Sequence, residues 1–183
     1  ATPEPVLVTS ATTLKTRALV GAEWSAVNEA FFFLAGTEPA STSNVAISEI
    51  QYHPAGSETS AEFLELANTA SHAVRLSGVT LSGAVDFTFP EDMVLLPGEM
   101  AVVVKDRAIF AARYQSSQSP WFRAGLRVAG EWSGSLANEG ESIRVTAADQ
   151  SPILAVTWSD AGAWPGRADG RGSSLELVSL TGL

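Results

Sequence analysis

Glu49, Glu62 and Glu65 fall on neighbouring predicted strands. Two carboxylates facing each other across a cleft can hydrolyse a glycoside, one giving a proton while the other attacks or activates water. Strand alternation offers a plainer reading, in which the three form the solvated face of a sheet. His53 and His72 are the two histidines. A metal site would need both, plus a carboxylate within ligand reach. Each lies beside a turn signal, where a surface histidine is ordinary. Asp160 and Asp169, with the turn Gly170-Arg171-Gly172-Ser173, can offer oxygens to calcium. Calcium takes about six to eight of them, and the run lacks the alternating acids of an EF-hand loop. The plainer expectation is that Asp169 closes a turn and Gly170 takes positive φ. Asp160 and Asp169 stand as calcium candidates, and no metal or other cofactor is expected.

The same turn lacks the lysine and following helix of a phosphate loop. No Gly-x-Ser-x-Gly elbow occurs, and two turn histidines do not assemble a Ser-His-Asp arrangement. No catalytic residue is expected. Trp121, Trp132, Trp158 and Trp164, with Phe122 and Tyr114, form an aromatic reserve. Most should be core or edge cover. Trp121 and Phe122 follow a polar loop and are the pair expected at the surface, where rings can meet a protein or stack on a sugar.

Composition narrows the partners. The 183 residues carry a net charge of −9 and no basic run. That removes the usual driving force for binding nucleic acid and disfavours docking on anionic lipid. There is no cysteine, so disulfides, thiolate metal sites and cysteine nucleophiles are excluded. Apolar residues make up 45%, enough for a sizeable core, and no stretch is long and apolar enough to cross a membrane as a helix. Only 17% of residues are charged, a proportion common in secreted β-domains. The N-terminus, Ala1-Thr2-Pro3-Glu4-Pro5, has neither a charged nor an apolar leader segment. The chain is expected to be a fragment of a longer protein whose signal peptide lies outside it.

The elements that must position these residues are strands. Val6, Leu7 and Val8 form a short strand candidate. Residues 12–20 alternate, Gly21-Ala22-Glu23 turns, and residues 24–34 return through Phe31, Phe32 and Phe33, giving a β-hairpin. The Phe face must pack on something, so the hairpin is expected to seek cover or pair with another copy. Residues 1–36 are read as one block and 37–44 as a polar Ser/Thr-rich linker. Residues 45–183 are then a β-domain. Val45, Ile47, Ile50 and Tyr52 share a face only if the strand slips at Ser48-Glu49, which predicts a bulge. Leu64 and Leu66 point inward with Glu65 outward, and Phe63 needs cover on the second face. Asp106 caps a short helix over about 106–115, with Phe110 and Tyr114 on one side. Further short strands follow at 143–145, 154–158 and 175–177. Roughly nine strands and one helix predict an all-β fold, a β-sandwich.

Several segments, taken together, resemble a known family. Val45-Ala46-Ile47-Ser48-Glu49-Ile50-Gln51-Tyr52-His53-Pro54 resembles the opening strand of bacterial lamin tail domains, and Glu62-Phe63-Leu64-Glu65-Leu66-Ala67-Asn68-Thr69 their second. The likeness continues through Val74-Arg75-Leu76-Ser77-Gly78-Val79-Thr80-Leu81, Leu96-Pro97-Gly98-Glu99 and Gly134-Ser135-Leu136-Ala137-Asn138-Glu139-Gly140-Glu141. It ends in the Trp164-Pro165-Gly166 corner and the run to Leu177, covering about residues 45–178. The resemblance implies an immunoglobulin-like β-sandwich. In animals such domains are the tails of intermediate-filament lamins, and in bacteria they sit in large exported or cell-surface proteins. No heptad rod accompanies it here. Residues 12–34 resemble the last strands of a chitobiase C-terminal-like module.

The resulting expectation is a non-catalytic interaction module of an exported, extracellular or cell-surface bacterial protein. Its partner would be a protein or a cell-surface polymer, with no nucleic acid and no membrane insertion, and with pairing of copies through the hairpin as a further expectation. Trp121 and Phe122 are the binding candidates. One alternative is a carbohydrate-binding module on those rings. The other is a carboxylate hydrolase on Glu49, Glu62 and Glu65.

Overall fold

Apolar alternation from residue 45 onward builds two facing sheets, with inward side chains filling the space between. In the computed structural model, residues 12–32, 36–56 and 59–179 are described. The chain divides into two units, Ala1–Thr37 and Glu38–Leu183.

In the first unit, β1 (Thr12–Thr16) pairs antiparallel with β4 (Asn28–Phe32), and β2 (Leu19–Val20) with β3 (Glu23–Trp24). The turn falls at Gly21 and Ala22, as the alternation predicts. Lys15 pairs with Glu29 at 3.1 Å across the strands, and the Arg17 guanidinium lies 4.2 Å over the Trp24 ring. The strand expected at Val6, Leu7 and Val8, and the packing expected of the Phe31, Phe32 and Phe33 side chains, lie outside the described residues and side chains.

The second unit is the immunoglobulin-like β-sandwich. Its strands are β5 (Glu38–Pro39), β6 (Val45–Gln51), β7 (Phe63–Asn68), β8 (Val74–Arg75), β9 (Thr80–Gly83) and β10 (Val85–Thr88). They continue as β11 (Val94–Leu95), β12 (Met100–Val104), β13 (Val128–Glu131), β14 (Ser133–Gly134), β15 (Ser142–Thr146), β16 (Pro152–Thr157) and β17 (Leu175–Glu176). One five-stranded sheet has the order β13-β12-β7-β6-β17, the other β14-β10-β9-β15-β16, and β11-β8-β5 forms a smaller third sheet. The run 37–44, expected as a linker, is partly built into this frame. β5 pairs in parallel with β8, Ala40 joins the core, and the buried Asn44 amide donates to Pro39 O at 3.0 Å. A polar run can do this because its backbone groups find sheet partners and its one buried amide is hydrogen-bonded.

The bulge lies where the hydrophobic phase changes. Register between β6 and β7 shifts between Ile47 and Glu49. Val45, Ile47, Ile50 and Tyr52 consequently all reach the inner core with Leu64, Leu66, Val103, Ile143 and Trp158. A second, smaller core forms on the outer face of the same sheet from Ala61, Phe63, Val102, Val104, Phe110 and Tyr114. Its cover is α1 (Arg107–Phe110), capped by Asp106 Oδ1, which accepts from Ile109 N at 2.9 Å. A π-helical turn, Ala111–Gln115, continues it and turns Arg113 and Tyr114 inward. Phe63 meets Phe110 and Tyr114 edge-on at 5.5 and 5.2 Å between ring centres, the arrangement that aromatic quadrupoles favour.

Candidate functional site

Past this small core the outer face turns polar. The pairing of β6 with β7 places Glu49 opposite Glu65, and that of β17 with β6 places Glu176 opposite Glu49. Three carboxylates therefore stand abreast on three adjacent strands. The expectation of a solvated face is overturned for the inner two and for Glu62. Glu49, Glu62 and Glu65 are only 5%, 5% and 4% exposed. Alternation decides which face a side chain takes, but it does not decide whether another segment covers that face. Over Glu49 and Glu65 residues 106–127 do, while Glu62 is covered on the other side, where Leu136 lies.

The cover is fixed by Arg123. Its Nη1 donates to Glu49 Oε2 at 2.6 Å, its guanidinium lies 5.9 Å from the centre of the Phe63 ring, and its backbone N–H donates to Tyr114 O at 2.8 Å. Ser174 Oγ donates to the other Glu49 oxygen at 2.5 Å, and Ser48 Oγ, at the bulge, donates to Glu65 Oε1 at 2.8 Å. Burial pushes the Glu65 carboxyl above the ordinary glutamate range, against the Ser48 hydrogen bond, and neighbouring Glu49 pushes it the same way. Burial presses the Arg123 guanidinium down, but the Glu49 hydrogen bond and the fields of Glu49, Glu65 and Glu176 hold it above its usual value.

Beside this row lies a groove of about 310 Å³. Its floor is Glu49 and Gln51 of β6, one rim is Gly172, Ser173, Ser174 and Glu176, and its aromatic wall includes Tyr114 and Trp121. Trp121 and Phe122 are 40% and 45% exposed, where the polar loop before them places them. Trp121 is nevertheless wedged. Arg113 lies 5.0 Å over its ring, and a Cβ on Gly172 would come within 2.8 Å of its far edge. With φ at +89°, Gly172 is the residue that lets the C-terminal run pass that close. Of the other tryptophans, Trp132 and Trp158 are buried in the core, while Trp164 is exposed.

The remaining candidates do not converge on a reaction centre. Glu62 precedes Phe63 and belongs to the opposite side of β7 from Glu65. It accepts from Leu136 N at 3.0 Å, and burial pushes its carboxyl upward. The hydrolase trio is therefore split between two faces. His53 and Asp169 are bridged instead, with Nδ1 and Oδ1 2.7 Å apart and Gly170 N donating to His53 O at 3.1 Å. Gly170 has the positive φ expected of it, +66°, but Asp169 holds a histidine rather than its own backbone. Asp160 accepts from Ser159 Oγ at 3.4 Å. Among the described residues no group of three or more His, Asp and Glu side chains gathers to hold a metal. His72 pairs with Glu38 at 3.0 Å.

Sequence reasoning placed the bulge at Ser48-Glu49 without the polar bond Ser48 makes there, and it missed Arg123 and Gln51. Arg123 reaches a partner 74 residues away, and nothing in its neighbourhood advertises that. Residues 38–162 match the model of the Lamin Tail Domain family. No curated protein matches the chain.

Proposed function

The chain belongs to the lamin tail domain family, and from that premise we propose that it is a non-catalytic interaction module of a larger exported or cell-surface bacterial protein. The contact surface is the Trp121-Phe122 loop with the groove beside it, and the partner is a protein. The hairpin at residues 12–32 would be the end of a preceding module similar to the chitobiase C-terminal one. The observation that carries this reading is the adjacent exposure of Trp121 and Phe122 on a cover tied down by Arg123. Exposed rings on a fixed support make contact area at small entropic cost. A sugar-binding role is less well supported, because stacking needs an open ring face and Arg113 already lies over Trp121.

A photo-crosslinking residue at position 122, in the full-length protein in its own bacterium, tests this. Discrete protein adducts at 122, absent when the same residue replaces exposed Asp149, are expected. Adducts only to polysaccharide would shift the reading to carbohydrate. No adduct, or equal labelling from both positions, would overturn the proposed surface.

A further inference from the structure

We infer that the free edge of β16 is a second contact site, separate from the Trp121-Phe122 surface. It takes an extended segment of a partner protein as an added strand, with uncharged apolar side chains at alternate positions.

The first observation is an edge without guards. β16 is the last strand of its sheet, after β15. Natural edge strands are kept from pairing by shortness, charge, proline or a bulge. Among the other edges of the two five-stranded sheets, β14 and β17 are two residues long, and β13 ends in Glu131. β16 runs six residues, Pro152–Thr157, and carries no charge. Its proline and the register shift against β15 both fall at its start, which leaves residues 154–157 unguarded.

The second observation is the direction of the backbone. Trp158 N donates to Glu141 O at 3.0 Å, and Thr157 stands opposite Ser142. Ser142 O accepts instead from Ala84 N on its far side, at 3.1 Å. Successive residues of a strand turn their N–H and C=O to opposite edges. Val156 and Trp158 therefore bond toward β15, while Ala155 and Thr157 turn their N–H and C=O away from it. Both of these residues are exposed. A segment laid along this edge meets donors and acceptors at the spacing of a strand ladder.

The third observation is unfilled space beside that edge. β16 lies against β6, and β17 continues the facing sheet beyond β6. The place next to β16 is thus over β17, and no strand of the sheet occupies it. Two largely apolar cavities lie there, of about 160 and 270 Å³, and they share Ile47, Val156 and Leu177. Their walls are open to solvent: Leu154 and Val156 are half-buried, and Leu177 and Trp164 are 38% and 39% exposed. An added strand turns every second side chain toward these cavities. Val, Ile or Leu fits there, and a charge would be stranded against hydrocarbon.

The same geometry selects the occupant. A second copy offering its own β16 would bring its own β6 underneath, into the place that β17 holds. The occupant is therefore a segment without a sandwich of its own, supplied by another protein.

The test is a 1H–15N NMR titration of the full chain with acetyl-Thr-Val-Thr-Val-Thr-amide. In the inferred mode the valines face the cavities and the threonine N–H groups face the edge. Saturable shifts are expected at the Ala155 and Thr157 amides and at the Trp164 indole N–H. Methylating the central threonine nitrogen should abolish them, and methylating a valine nitrogen, which points away from β16, should not. Ala155→Pro removes a donor that the fold does not use, so the β15 pairing should persist in the same spectra. Its binding should weaken about five-fold, the scale of one hydrogen bond. Leu177→Asp, at a half-exposed position on both cavities, should weaken binding by putting a charge against the valines. No saturable shift at Ala155 and Thr157, equal binding by the two methylated peptides, or unchanged affinity in both variants would overturn the inference. A concentration-dependent dimer in sedimentation, dissociated by Ala155→Pro, would give the edge to a second copy and overturn it too.

Discussion

Strand β7 buries both of its faces, and it does so by different means. On the inner side Leu64 and Leu66 are sealed by a second sheet, hydrocarbon against hydrocarbon. On the outer side Phe63 and Glu65 are just as inaccessible, yet one excursion of the chain, residues 106–127, supplies much of the lid. The inner closure is driven by area removed from water. The outer closure begins the same way, with Phe110 and Tyr114 on Phe63, and then gives way to a buried carboxylate under a half-exposed arginine. Taking charges out of water costs about as much as their attraction returns. The outer lid should therefore be the first of the two to open. One sheet has a face closed by hydrocarbon and a face closed in part by a charge pair.

The largest effect should come from the inner face. Leu66→Ala should cost about 2–5 kcal/mol, the range for a large side chain removed from a rigid core. Urea unfolding measures it, and a loss within error of zero would dissolve the contrast. Arg123→Ala comes next. It leaves Glu49 buried without its cation, for about 1–3 kcal/mol, toward the lower end because the guanidinium is partly exposed. Hydrogen exchange should show residues 111–127 opening while β7 and β12 stay protected. Uniform loosening of both sheets would show that the lid is not a separate unit.

A smaller effect sharpens the electrostatics. The folded chain holds the Glu65 proton to a higher pH than the unfolded chain does. Folding therefore takes up a proton between those two values, and the stability is lost as pH rises through the folded one. Below the unfolded glutamate range the contribution is fully present. Glu65→Gln should flatten that decline, measured as unfolding free energy against pH. Glu62 is shifted the same way and keeps its own part of the slope in that variant. A decline identical to the parent's would mean that Glu65 is not buried as a carboxyl under the lid. The smallest effect is Phe122→Ala, expected within about 0.5 kcal/mol in the same unfolding assay, because the residue is 45% exposed and belongs to neither core cluster. A loss above about 1 kcal/mol would make Phe122 part of the lid rather than a free contact.

The inner face was readable from residue order. A period of two with one slip, the turn signals, and the Asp106 cap each have local causes, and each is present in the fold. The outer face was readable only in part. Phe63 announced that it needed cover, and Phe110 and Tyr114 were placed together on one side of a short helix, but only the fold joins the two. Glu49 and Glu65 gave no such notice, because a glutamate that alternates outward has the same sequence pattern on a wet face as under a lid. What decides between them is Arg123, 74 residues from Glu49, on a segment without periodicity. The same holds for His53 and Asp169, 116 residues apart. Long-range polar pairs follow from topology, and topology is not written in local spacing. The split of Glu62 from Glu65 was present in the spacing, since three residues along a strand change face.

A double-mutant cycle between Glu49 and Arg123 tests the central claim most directly. The four proteins are the parent, Glu49→Gln, Arg123→Ala and the double variant, each unfolded in urea at neutral pH. If the lid is pinned through a buried charge pair, the two changes are not additive, and the coupling is about 1 kcal/mol or more. Additive losses, with coupling indistinguishable from zero, would mean that the outer face is closed by its aromatic contacts alone, and the division of one sheet into a hydrocarbon face and a charge-held face would fall.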